Sequence, residues 1–83
     1  MQTIETNNFI LSLEEDQDGR MNITGVDKHN DQTLHTLNTR GTLKAWKTLQ
    51  GAVTNGLMDR SSLSTVVEYL DAKHLQPRIY CNE

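Results

Sequence analysis

Eighty-three residues, 35% hydrophobic and 23% charged, are enough for one small folded domain and too rich in apolar side chains for a disordered chain. The formal charge of −3 divides unevenly, with seven acids and three bases in residues 1–41 against four acids and five bases in residues 42–83; no basic excess exists for nonspecific nucleic-acid binding by the whole surface. A lone cysteine, Cys81, excludes an internal disulfide, and no basic leader or long apolar run marks the chain for export or a membrane, so a cytoplasmic protein is expected.

In chain order, residues 1–8 read as a loose polar lead-in. Phe9, Leu11 and Leu13 then alternate with Ile10 and Ser12, the two-residue period of a strand buried on one face. Met21 and Ile23 give the return strand. A two-residue loop at Asp18-Gly19 would set Ile23 opposite Glu14, whereas a three-residue loop, Gln17-Asp18-Gly19, sets Ile23 opposite Leu13 and Asp16 opposite Arg20. The second register is expected, with Gly19 left-handed. After Gly25-Val26 the polar run from Asp27 to Gln32 reads as a second turn, and Thr33 to Thr39 as a third strand. Leu34 and Leu37, three apart, break its alternation, through a bulge or through one leucine on the outer face.

Near Gly41 the period changes to that of a helix. A first helix is expected from Thr42, as its cap, to the left-handed stop Asn55-Gly56, with a core-facing stripe of Leu43, Trp46, Leu49, Val53 and Leu57. A second begins at Ser61 or Ser62 and ends before Pro77, with Leu63, Val66, Val67 and Leu70 inward and His74 on the same side. Arg78 to Cys81 suits a short closing strand. The fold class is therefore α+β: residues 1–83 form a single domain with a three- or four-stranded antiparallel sheet and two helices packed on one face, in the order β-β-β-α-α-β. Residues 1–8 and 82–83 are expected to be loose.

Glu14, Glu15, Asp16 and Asp18 gather four carboxylates at the tip of the first hairpin. A calcium loop is rejected, because the twelfth position from Glu14 is Gly25 where a bidentate glutamate is needed. What remains is a solvated turn or an acidic contact surface for a basic partner. Asp27, His29 and Asp31, with His35 nearby, have permissive metal-ligand spacing but lie in a run of turn formers, so a polar loop is expected and no metal. Arg40, Lys44 and Lys47 form a basic ridge beside the apolar stripe, able to meet phosphate or carboxylate oxygens. Trp46 reads as a core anchor. His74 suits a helix C-terminus, and Cys81 a tail thiol. No phosphate-binding glycine loop, paired His/Cys motif or nucleophile motif is present, so neither an enzyme nor a cofactor is expected.

These features predict a noncatalytic protein-binding domain, a stoichiometric inhibitor or regulator that sets its acidic hairpin against a larger protein with a basic surface. In size, acidic balance and strand-then-helix build, the chain is similar to the small inhibitors that phages and other mobile elements direct against host nucleic-acid machinery, anti-CRISPR proteins among them. That resemblance implies an inhibitory role by analogy. Two alternatives stand beside it. One is a nucleic-acid-binding module using Arg40, Lys44 and Lys47, helped by Arg20 and Lys28. The other is a homodimeric structural domain that hides outer apolar residues such as Ile10 and Val26.

Overall fold

Apolar residues at every second position in Phe9–Leu13 and again at Met21 and Ile23 demand a sheet with one buried face, and a helical stripe after Gly41 supplies its cover. In the computed structural model, which describes residues 2–81, the order is β1 (Gln2–Glu5), β2 (Phe9–Glu15), β3 (Met21–Asp27), β4 (Gln32–Thr36), α1 (Thr42–Thr54), α2 (Leu63–Ala72) and β5 (Pro77–Cys81). All five strands form one antiparallel sheet in the spatial order β1-β2-β3-β4-β5. The class is α+β as expected, with five strands in place of three or four.

The additional strand is β1, from the segment expected to be loose. Ile4 is its only apolar residue, too few to show a period, yet it pairs with Leu11 and is buried. The Thr6 hydroxyl turns the chain into β2 by accepting the amides of Asn8 and Phe9 at 3.1 and 3.2 Å. Residues 82–83, also expected to be loose, lie outside the described residues.

The β2–β3 hairpin has the expected register, Leu13 opposite Ile23, and Asp16 N–H donates to the Arg20 carbonyl at 2.8 Å. Gly19 has a φ of 78°, the left-handed position a three-residue loop requires. In β4 neither a bulge nor an outward leucine within the strand resolves the Leu34–Leu37 spacing. The strand ends at Thr36, and Leu37 lies beyond it, exposed. Thr36 is buried, and its hydroxyl accepts the Ile23 amide at 3.2 Å, satisfying a donor beyond the last β3–β4 pair, Thr24 with His35.

Ile4, Phe9, Leu11, Leu13, Ile23 and Leu34 face two helices. α1 packs over β1 and β3, and α2 over β3, β4 and β5. Trp46 is the anchor expected: 1% exposed, with its indole N–H donating to Gln2 Oε1 at 3.0 Å. Gly25 sits under the start of α2, where a side chain would collide with Leu11 and Leu63.

The α1 stripe is rotated from expectation. Thr42, Ala45, Trp46 and Leu49 are buried, whereas Leu43 is 52% and Leu57 75% exposed. Leu57 lies past the helix end. Gly56, at φ 73°, donates to the Val53 carbonyl, and Leu57 to that of Ala52, the paired bonds of a left-handed helix stop. Thr42 is not the cap: Gly41 takes that position, and the Thr42 hydroxyl is buried with no partner. α2 ends the same way on a non-glycine residue. His74, at φ 61°, occupies the left-handed position, and Leu75 rather than His74 turns inward, fully buried.

Candidate functional site

Because both helices cover the same side, the other side of the sheet stays open to solvent. Pairing places Glu5, Ile10, Val26, Thr33 and Tyr80 in one row across that open face, with Thr3, Ser12, Thr24, His35 and Arg78 beside it. Val26 is 50% and Tyr80 51% exposed. Glu5 pairs with Lys28 at one margin.

The hairpin tip continues this face. Glu14 follows Ile10 and Ser12 along β2 on the open side, opposite Asn22, whereas Glu15 lies on the helix side opposite Met21. Glu14, Glu15, Asp16 and Asp18 are all exposed. Their roles separate, however. Asp16 Oδ1 accepts the amides of Asp18 and Arg20, each at 2.9 Å, so this carboxylate builds the turn. The Arg20 amide is the main reason its pKa lies below the ordinary 3.8. Among the described residues Glu14, Glu15 and Asp18 have no such structural hydrogen bond, which leaves their carboxylates available to a partner.

Of the basic ridge, Lys44 and Lys47 lie on α1 and Arg40 just before its Gly41 cap. Lys44 lines a cleft of about 180 Å³ between the helices with Gly41, Ala45, Thr48, Tyr69 and Lys73, and neither Arg40 nor Lys47 reaches it. Lys73 lies 5.7 Å from the centre of the Tyr69 ring. Sequence reasoning missed both residues; the i, i+4 spacing of Tyr69 and Lys73 on one helix face was the available signal.

Asp27, His29 and Asp31 form a turn. Asp27 Oδ1 accepts the amides of His29 and Asn30, and His29 Nε2 pairs with Asn8 Oδ1 at 2.9 Å. Asn8 in turn donates to the Ser61 carbonyl, tying this loop to the one between the helices. His35 is apart from them, on the open face opposite Arg78. Among the described residues no group of three His, Cys, Asp or Glu side chains converges on a common point. His74 is exposed, with its carbonyl accepting the Asn38 side-chain amide at 2.8 Å, and Cys81 is an exposed free thiol on β5. No helix among the described residues is long and apolar enough to cross a membrane.

No known protein family, curated protein or solved structure matches this chain.

Proposed function

We propose that this chain is a noncatalytic protein-binding domain that acts stoichiometrically, as an inhibitor or regulator, on a larger protein with a basic surface. The observation that carries the reading is the continuity of the open sheet face with the acidic hairpin. Ile10, Val26 and Tyr80 supply apolar contact area, and Glu14 and Asp18 at one end supply the charge that orients a cationic partner. Ile10, Val26, Tyr80 and Glu14 lie on paired strands and Asp18 in a hydrogen-bonded turn, so little ordering entropy is lost on binding.

The test uses two immobilised baits, the wild-type chain and a triple variant, Glu14→Gln, Glu15→Gln and Asp18→Asn, that keeps Asp16 and therefore the turn. A protein retained by the wild type, released by salt and at least tenfold less retained by the variant supports the reading. Equal retention by both baits refutes the hairpin as the contact. A second reading, anion or nucleic-acid binding, rests on the Lys44–Lys73 cleft, whose lining contains no acid. Salt-dependent retention on DNA or RNA that is lost with Lys44→Gln and Lys73→Gln, and not with the hairpin variant, would favour it.

A further inference from the structure

The two edges of the sheet differ in what they offer another strand. On β1 the one apolar residue, Ile4, is already 5% exposed, and Glu5 is held by Lys28, so pairing there would bury little further apolar surface. On β5, Ile79 is 39% and Tyr80 51% exposed, although Leu34, directly across from Ile79 on β4, is 1% exposed. The helical cover thus reaches the last strand but leaves Ile79 partly open. An edge with exposed apolar side chains and unpaired backbone groups is a template for another strand unless charge, proline or a bulge protects it, and the proline of β5, Pro77, stands only at its first position. Arg78 is the only charged residue of β5.

We infer that β5 is a homodimerisation edge, which pairs antiparallel with β5 of a second copy about a two-fold axis through Ile79. The sequence Pro77-Arg78-Ile79-Tyr80-Cys81 is self-complementary in that register. Ile79 faces Ile79 of the second copy on the helix side, where, among the described residues, each has Leu34 on one flank and nothing on the other. On the open side Arg78 faces Tyr80 of the second copy, twice, setting a cation against an aromatic ring with no like charges opposed. Such an isologous contact closes on itself and joins two five-stranded sheets into one of ten strands. It does not depend on the proposed hairpin contact, and it is tested with no partner protein present.

A five-residue edge covers far less than the roughly 1,200 Å² at the lower limit of a standard interface. Dimerisation is therefore expected at protein concentrations on the order of 100 µM rather than nanomolar. Sedimentation equilibrium between about 10 µM and 1 mM should show the mass rising from 9.4 kDa towards twice that value. Tyr80→Arg, which opposes two arginines, should raise the dissociation constant at least tenfold, and the double variant Arg78→Glu/Tyr80→Arg should restore it. Thr3→Lys on β1 should change nothing. Because Ile79 and Tyr80 are well exposed, Ile79→Lys and Tyr80→Arg keep the monomer folded while weakening the dimer. With a strand rise of about 3.4 Å per residue, the two Cys81 Cα atoms lie about 14 Å apart in this register, close enough for strong dipolar broadening between nitroxides on the native thiols. A monomer at 1 mM, a dimer indifferent to Tyr80→Arg and Ile79→Lys, or nitroxides without such broadening in the dimer would overturn the assignment.

Discussion

Replacing Gly25 by alanine tests the packing of α2 on the sheet at one atom. The added Cβ would lie 2.9 Å from Leu11 Cδ2, 3.2 Å from Leu63 Cδ1 and 3.4 Å from Leu34 Cβ. Leu11 and Leu63 are side-chain ends that could swing aside on a surface, but here they are 0% and 1% exposed and have nowhere to go. Overpacking of this kind costs about 1–3 kcal/mol, offset by the roughly 0.5–1 kcal/mol that alanine gains over glycine within a regular element. Taken at the middle of each range, the net loss is about 1 kcal/mol, which in a domain of this size lowers Tm by roughly 4–8 °C. Trp46, fully buried, reports the transition by fluorescence in urea or on heating. Leu63→Ala alone should cost about 2–5 kcal/mol, and the double variant should be less damaged than the two singles added, by at least about 0.5 kcal/mol, because the new methyl enters the space vacated by Leu63. A Gly25→Ala chain as stable as the wild type, or strictly additive with Leu63→Ala, would refute this account of the interface.

Three further outcomes are expected. Thr42→Val replaces a buried hydroxyl that has no partner by a methyl of the same shape, and should raise stability by about 1 kcal/mol in urea denaturation; a loss would mean the hydroxyl is satisfied. His74→Gly relieves a left-handed non-glycine residue and should stabilise by about 0.5–1 kcal/mol, whereas His74→Val should destabilise by at least as much. The Asp16 carboxyl should titrate below 3.8 in a carbon-detected NMR experiment. Its pKa is lowered on folding, so its contribution to stability is present above pH 3.8 and is lost as pH falls through the folded value; Asp16→Asn should flatten that acid-side dependence. A value at or above 3.8 would sink the turn-building role.

The parts of the fold that the sequence made legible are those in which side-chain period and local chemistry agree. Phe9, Leu11 and Leu13 announced β2, the Leu13–Ile23 register followed from excluding Glu14 as a partner, and Gly19 and Gly56 took the left-handed positions their turns require. What could not be read depended on tertiary contacts. A single isoleucine defines β1 only because Leu11 lies opposite and Trp46 reaches Gln2. Leu43 and Leu57 belonged to the best-looking apolar arc, but the helix turned Ala45 and Thr42 inward and stopped before Leu57. At the candidate site, the four hairpin acids were visible together, yet Asp16 was separable from the others only once its two amide donors were seen. The cleft was hidden for a similar reason: it sets Lys44 of α1 and Lys73 at the end of α2 along one lining, which no single helix pattern shows.

The most direct test of the proposed function is amide chemical-shift mapping of the labelled domain, with and without the protein captured by the wild-type bait. Perturbation is expected to concentrate on Ile10, Ser12, Glu14, Asp18, Thr24, Val26 and Tyr80, weakening as salt is raised, with the α1 and α2 surfaces unchanged. Perturbations confined to Lys44, Thr48, Tyr69 and Lys73, with the open sheet face and hairpin silent, would contradict the proposed function.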